Sequence, residues 1–278
     1  MTRSSNIIVC QGDNLTIDSS RASYTKKFPR TYASKGAKIG LLSMSAYYSW
    51  DNLTASFNNL TGASYIFNGT TYPVNYTAGN YSTDELNQYL EYIMEQNLHF
   101  LVDANGNNVY YLSFQSNDVS YCTTLIATPI PTVLPTGWTN PNGITLSGNS
   151  PQLVVSGATN WYKLLGLSPG TYPAAPATVT TSINGTLIPI ITGFSTIFVV
   201  CNMVNDSRFS NFPSVIASFV PNQPYGSLLT ISPPVITTYD VIPQNYDSIE
   251  IRLVDELFRP LIVKDNSQTC FTLLLEEA

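Results

Sequence analysis

The chain has 278 residues, which is enough to bury about three quarters of its unfolded surface in a core without disulfides or metal ions. Its net charge of −6 argues against a domain that binds nucleic acid with its whole surface. Only 11% of the residues are charged, while Tyr, Asn, Ser, Thr and Pro are abundant, a composition that suits a surface covered by neighbouring proteins. An ordinary β protein rich in loops is the alternative interpretation.

The charges are distributed unevenly along the chain. Residues 1–40 contain seven of the twelve Lys and Arg residues and two acidic residues, which gives this segment a net charge of +5. From Val119 to Asn205 the sole charged side chain is Lys163. We therefore expect residues 1–36 to form an extended basic arm with one short strand at Ile7–Cys10. Its partners should differ from those of the nearly uncharged middle of the chain.

The basic arm has several candidate partners. An adjacent acidic subunit is the first of them, and nucleic acid, an anionic membrane surface and plain solvent are the others. Aromatic residues, which would stack on bases, are sparse in this segment, so we do not expect it to bind a specific nucleic acid. The side chains expected to contact a partner are Lys26, Lys27, Arg30, Lys35 and Lys38.

The four cysteines lie far apart and match no zinc or redox spacing, so we expect reduced and mostly buried thiols at Cys10, Cys122, Cys201 and Cys270. The N-terminus has no apolar signal core, and no run of about 18 apolar residues occurs in the chain. The sequence therefore predicts neither secretion through a cleaved signal nor a transmembrane segment.

One convincing helix is predicted, over about residues 82–96. Ser82 and Glu85 have the spacing of a capping box, in which each side chain accepts a hydrogen bond from a backbone N–H at the start of the helix. Behind them, apolar residues recur at steps of three and four, which gives the helix one apolar stripe. Farther along, Asn105-Gly106 between two β-type runs predicts a hairpin.

Most of the remaining chain predicts short strands separated by turn residues. In Ser248–Val254, for example, apolar and charged residues alternate as they do in a half-buried strand. Residues 128–151 contain five prolines and three glycines and predict a long loop. We expect a mainly β fold, a single jelly-roll sandwich of two antiparallel sheets over residues 37–278, with one short helix and long loops. The length also allows two smaller β domains.

Residue types that perform catalysis are scarce. His99 is the only histidine, and we interpret it as structural. No Gly-x-Ser-x-Gly elbow precedes a helix, so the sequence gives no support for a serine hydrolase. Residues 103–107 resemble the start of a calcium loop, but Gly106 stands at position 4 instead of 6, which favours the hairpin. The acidic residues of the predicted helix lie mostly opposite its apolar stripe, as a solvated face would. The sequence therefore predicts no enzyme, no cofactor and no metal site.

Four stretches of the sequence form a distinctive ordered set. They are KIGLLSMSAYYSWDNL at 38–53, YPVNYTAGNYSTDELNQYLEYI at 72–93, WYKLLGLSPG at 161–170 and YDSIEIRLVDELFRPLIV at 246–263. In this order they resemble the minor capsid and penton jelly-roll proteins of virophages, polinton-like elements and related large icosahedral double-stranded DNA viruses. The chain departs from that pattern at Leu167, where Phe is expected, and in the long loop at 128–151.

The resemblance implies a structural virion protein, a penton whose single jelly roll closes the five-fold vertex. Five copies would form a homopentamer among major capsid protein trimers, assembled in the cytoplasm or viral factory of the infected host cell. The basic arm would reach other minor capsid proteins or an inner membrane surface. The alternatives are a minor capsid or cement protein, and a surface attachment module that binds glycans through Trp138. A cellular carbohydrate-binding or hydrolytic β-sandwich protein is the last alternative.

Overall fold

The structure is a computed structural model that describes residues 4–19, 21–55, 60–190, 196–204 and 214–277. Within these ranges the chain is mainly β, as predicted, with 19 strands, two α-helices and one short 3-10 turn. The chain divides into two compact units. Unit 1 comprises residues 1–50 and 194–278, and unit 2 comprises residues 51–193.

The described residues form two helices, α1 (Thr83–Gln96) and α2 (Trp161–Leu165). The strands, in chain order, are β1 (Ser4–Gln11), β2 (Thr16–Ile17), β3 (Ser23–Ala33), β4 (Lys38–Tyr47), β5 (Ala63–Phe67), β6 (Thr70–Val74), β7 (Leu101–Val102), β8 (Asn108–Val109), β9 (Leu112–Asn117), β10 (Cys122–Ala127), β11 (Gln152–Val155), β12 (Gly170–Tyr172), β13 (Thr181–Asn184), β14 (Ile197–Cys201), β15 (Val215–Phe219), β16 (Leu228–Ile231), β17 (Tyr239–Asp240), β18 (Asn245–Val254) and β19 (Cys270–Glu277).

Unit 1 contains two antiparallel sheets. One has the strand order β1-β19-β4-β16, with β17 also paired to β4, and the other has the order β15-β14-β18-β3-β2. The eight principal strands, in chain order, are β1, β3, β4, β14, β15, β16, β18 and β19. Distributed over two sheets in this way, they have the order of a jelly roll, which is built from two Greek keys. The predicted jelly roll is therefore confirmed, with unit 2 inserted in the sequence between its third and fourth principal strands.

The core of unit 1 forms because alternate residues of each strand point to the same face of a sheet. On β18, Ile249, Ile251 and Leu253 are fully buried, as the alternating pattern predicted. Tyr24 of β3 packs against Phe271 of β19 with ring centroids 5.3 Å apart. Burial of such side chains stabilises the sandwich by roughly 1.5–3 kcal/mol each.

Residues 4–33, where the sequence predicted an extended basic arm, form strands of the jelly roll instead. Strand β1 pairs with β19 along its whole length, from Ser4 opposite Glu277 to Gln11 opposite Cys270. Strand β3 pairs with β18 on one side. On its other side only Tyr24 and Thr25 pair with β2, so the rest of this edge has no strand partner among the described residues. Lysines are common on such edges because they discourage pairing with other chains, and Lys26 and Lys27 both lie on β3.

Unit 2 has its own sheets and its own core. The strands lie in sheets of order β12-β11-β5-β6 and β13-β10-β9 and in the hairpin β7-β8. The predicted helix is confirmed as α1, where Leu86, Leu90 and Met94 are fully buried. Its capping box is present, since Glu85 N–H donates to Ser82 Oγ at 3.2 Å and Ser82 N–H donates to Glu85 Oε2 at 2.7 Å. Helix α2 is a second helix, where the sequence predicted only one.

The hairpin and the long loop of unit 2 also follow the sequence. Between β7 and β8, Asp103 Oδ1 accepts hydrogen bonds from Asn105 N–H at 2.9 Å and Asn107 N–H at 2.8 Å. Gly106 in this turn has a positive φ of 86°, which favours glycine. Residues 128–151 contain no helix or strand. This loop is tied back on itself by a hydrogen bond from Ile130 N–H to Asn149 O at 3.1 Å.

Candidate functional site

The basic residues predicted to contact a partner lie mostly on one edge of unit 1. Lys26, Lys27 and Arg30 are on β3, and Lys27 and Arg30 are exposed. Lys26 Nζ donates to the backbone oxygen of Val9 at 2.6 Å, which links β3 to β1. This ammonium group is thereby engaged within the jelly roll, so we expect Lys27 and Arg30 to be the more available of the three.

The two remaining basic candidates lie at and after the turn that joins β3 to β4. Lys35 is exposed. Lys38 Nζ lies 3.5 Å from Asp240 Oδ1, and both side chains are partly exposed. Such a surface pair contributes about 0–1 kcal/mol to stability, but it neutralises the charge of Lys38. The structure therefore groups three of the five candidates on one strand and pairs one of the others with an acidic residue.

An apolar cleft of about 350 Å³ lies beside the edges of β1 and β3, and we call it the edge cleft. Its walls include Phe28 and Tyr32 of β3, whose rings meet edge to face with centroids 6.1 Å apart. Burial, and then the negative charge of Glu277, raise the pKa of Tyr32 above its usual value. The lining of the edge cleft comprises Asn6, Ile8, Phe28, Pro29, Arg30, Tyr32, Leu275 and Glu277.

Strand β1 also exposes apolar side chains next to this edge. Ile7 is 65% exposed and Val9 is 38% exposed. An edge strand with exposed apolar residues is a surface on which another chain can pair or pack. This surface was not predicted from the sequence, although Pro29 within a β-type run was a signal, because proline in a strand is confined to edges and bulges.

Trp138 lies in the loop at 128–151 and is the residue that the sequence predicted as a glycan contact. Its side chain is partly buried and packs against the core of unit 2. Its backbone N–H donates to the oxygen of Pro135 at 3.0 Å, which closes a turn. Part of the indole surface is therefore used by the fold of unit 2.

The single histidine and the cysteines have structural surroundings. His99 is 8% exposed, and its ring stacks on that of Phe67 with the ring centroids 4.0 Å apart. Burial lowers the pKa of His99. Burial raises the pKa of the Cys10 thiol to about 11 and that of Cys201 to about 12, so both are protonated at neutral pH. The four cysteines are free; Cys10, Cys122 and Cys201 are buried and Cys270 is partly exposed.

Metal-ligating side chains are dispersed in the described part of the chain, where no group of three or more His, Cys, Asp or Glu residues is arranged to hold a metal ion. No helix within the described ranges is long and apolar enough to cross a membrane.

The chain is similar over its whole length to two solved structures from virophages. One is a crystal structure of the mavirus penton protein, with 9% identity and a TM-score of 0.49, which covers 100% of this chain and 99% of that chain. Another is a cryo-EM structure of the Sputnik virophage, with 12% identity and a TM-score of 0.44, which covers 99% of this chain and 97% of that chain. No protein-family model and no curated protein matches the chain. Because both TM-scores are below 0.5, the assignment of the jelly roll rests on the strand order of unit 1.

Proposed function

We propose that this chain is a structural protein of an icosahedral virus capsid, and specifically the penton that occupies the five-fold vertex as a homopentamer. The observation that carries the proposal is the complete jelly-roll order of the eight principal strands in unit 1. This architecture is one that viral capsid proteins use. In this role the protein acts through shape and contact, and it performs no catalysis.

Surface composition supports a role in a shell. Only 11% of the residues are charged, so a large part of the surface loses little charge solvation when a neighbour covers it. The edge cleft, which Asn6 and Ile8 line, and the exposed Ile7 and Val9 on the opposite face of β1 give this edge of unit 1 an apolar side. Identical copies joined head to tail through two different surfaces close into a ring when the rotation between them is right. We propose that this apolar side is one of the two surfaces.

The basic residues receive a separate role in this proposal. Lys27 and Arg30 stand exposed on β3 beside the apolar side, and Lys35 is exposed at the following turn. We propose that they contact acidic groups of major capsid protein trimers or of other minor capsid proteins. An inner membrane surface is the other anionic partner for these side chains.

Cryo-EM of the virus particles that contain this chain tests the position directly. We expect the chain to fit the density at the five-fold vertices, with five copies around each axis. Density between capsomers on the faces would instead make it a cement protein. Absence of the chain from purified particles would overturn the capsid role.

A variant of strand β1 tests the proposed interface. We expect Ile7→Lys with Val9→Lys to prevent incorporation into particles while leaving the thermal unfolding of the purified chain nearly unchanged, because both side chains are exposed. Val119→Lys is the matched control, since Val119 is 94% exposed in unit 2. Normal incorporation of the β1 variant, measured by quantitative immunoblotting of purified particles, would exclude this surface.

A further inference from the structure

Unit 2 contains a cleft of about 340 Å³ that none of the preceding roles uses, and we call it the polar cleft. It is formed by the turn between β5 and β6, by the end of the loop at 128–151, and by the start of β11. Its volume lies at the lower end of the range for small-molecule sites, about 300–1,000 Å³. The lining residues that matter for recognition are Ile66, Asn68, Thr145, Asn149, Gln152 and Pro176.

The lining of the polar cleft is polar and uncharged. Its polar side chains are the amides of Asn68, Asn149 and Gln152 and hydroxyl groups such as that of Thr145. No described residue of this lining is charged, so a phosphate, carboxylate or ammonium group would be desolvated there without an opposite charge. The cleft therefore suits a ligand that is recognised through neutral hydrogen bonds.

Several of these polar groups are held in place by the fold. Gln152 is 6% exposed, and its Nε2 donates to Pro173 O at 2.8 Å. Asn68 Nδ2 donates to Thr145 O at 3.3 Å. The bond of the buried Gln152 fixes its amide, and the two bonds leave Gln152 Oε1 and Asn68 Oδ1 without a hydrogen bond to any described residue. Both oxygens are therefore acceptors for hydroxyl groups, and that of Gln152 is preorganised.

Apolar groups complete the chemistry of the site. Ile66 and Pro176 contribute aliphatic surface to the same lining. A pyranose presents hydroxyl groups at its rim and C–H groups on its faces, so it needs both kinds of contact at once. We propose that the polar cleft binds a neutral sugar unit, such as a terminal hexose of a cell-surface glycan.

This site differs from the glycan contact predicted from the sequence, because Trp138 is not among the residues that line it. The two predictions use different parts of the same loop, with Thr145 and Asn149 near its end and Trp138 near its middle. The proposal does not depend on the capsid role, since binding is measured on the purified chain alone. Failure of one therefore leaves the other standing.

Glycan-array binding and saturation-transfer NMR on the purified full chain test the proposal. The NMR probes are galactose, glucose and mannose, with sialic acid and glucuronic acid as charged comparisons. We expect saturation transfer to at least one neutral hexose and none to the two acids. Absence of transfer to every neutral sugar, together with a blank array, would overturn the proposal, as would preferential binding of the acids.

Variants then locate the site on the chain. We expect Thr145→Val to weaken sugar binding roughly tenfold by loss of one hydrogen bond. Ser147 also lines the polar cleft, and we expect Ser147→Trp to abolish binding by filling it. Thr136→Val is the matched control, because Thr136 is exposed in the same loop but lies outside the lining. Equal binding by these three proteins, or binding lost only on Trp138→Ala, would overturn the assignment. Unchanged thermal unfolding shows that each variant is folded.

Discussion

His99 is enclosed by three aromatic rings in unit 2. Tyr65 OH lies 2.8 Å from His99 Nδ1, and Asn97 Nδ2 donates to the Tyr65 oxygen at 3.0 Å. The Tyr65 hydroxyl accepts from Asn97 and still has its own proton, which it can donate to Nδ1 of a neutral His99 ring. Stacking on Phe67 and an edge contact with Tyr72 complete the enclosure. The histidine therefore joins the end of α1 to the β5–β6 hairpin.

This enclosure makes stability depend on pH. Burial lowers the pKa of His99 in the folded state, so below its ordinary pKa of about 6.5 the unfolded chain binds more protons than the folded chain. The contribution of His99 is fully present above that pKa and is lost as the pH falls toward the folded-state pKa. We expect urea denaturation to show a steeper loss of stability between pH 7.5 and 5 for the wild type than for His99→Gln. Equal pH dependence in the two proteins would contradict this account.

Helix α1 shows how far local sequence determines an element. The capping box of Ser82 and Glu85 and the buried stripe of Leu86, Leu90 and Met94 lie within one continuous segment. Such signals act over three or four residues, so they are present in any fold that contains the segment. For this reason the sequence predicted both the start and the buried face of this helix.

Removal of the cap tests its contribution to stability. We expect Ser82→Ala to lower the free energy of unfolding by about 1 kcal/mol, because the first turn of α1 loses the hydrogen bond from Glu85 N–H. Ser116→Ala on β9 is the control, because Ser116 is exposed. The free energy of unfolding of this variant should lie within about 0.5 kcal/mol of the wild-type value. Both values come from urea denaturation at constant pH. Equal values for the two variants would show that the cap contributes little.

Strand β4 shows the opposite case, in which an element depends on a distant part of the chain. Gly40 is buried, and a Cβ atom there would lie 2.6 Å from Thr237 O and 3.2 Å from Thr238 Cγ2. The backbone of residues 237–238 therefore passes so close that only glycine fits. Nothing within β4 itself indicates this restriction.

A larger side chain at position 40 should be poorly tolerated. We expect Gly40→Val to destabilise the chain by about 1–3 kcal/mol or more, because the atom it meets is backbone and cannot rotate away. Ser43→Val on the same strand is the matched control, as Ser43 is only half-buried. A thermal unfolding midpoint for Gly40→Val equal to that of the control would disprove the close approach.

The whole molecule consists of two units with separate cores. The buried apolar cluster of unit 1 includes Trp50, Ile197 and Phe271 and contains no residue of unit 2. The cluster of unit 2 includes Tyr65 and Trp161 and contains no residue of unit 1. Cores that share no residue have the means to fold independently. The chain therefore divides into two compact units, whereas the sequence predicted one jelly-roll domain over residues 37–278.

Excision of unit 2 tests this independence. We expect a variant in which residues 51–193 are replaced by a Gly/Ser linker to retain a β-rich far-UV circular dichroism spectrum and one cooperative thermal transition, because all eight principal strands of the jelly roll remain. The complementary fragment, residues 51–193, should likewise unfold cooperatively. An excised variant that is unfolded or aggregated under native conditions would mean that unit 1 requires unit 2.

The sequence by itself determined the mainly β class, the helix α1, the hairpin at 103–107 and the half-buried strand β18, because each depends on contacts between near neighbours. Only the tertiary structure decided that residues 4–33 belong to the jelly roll and do not form an extended arm, since β1 gains its partner from the far end of the chain, with Ser4 opposite Glu277. It alone also assembled the polar cleft, where Asn68 bonds to Thr145, 77 residues away. The backbone groups along the edge of a strand can pair with strands of many different sequences. Which strands pair therefore depends on how the cores pack and not on local residue patterns.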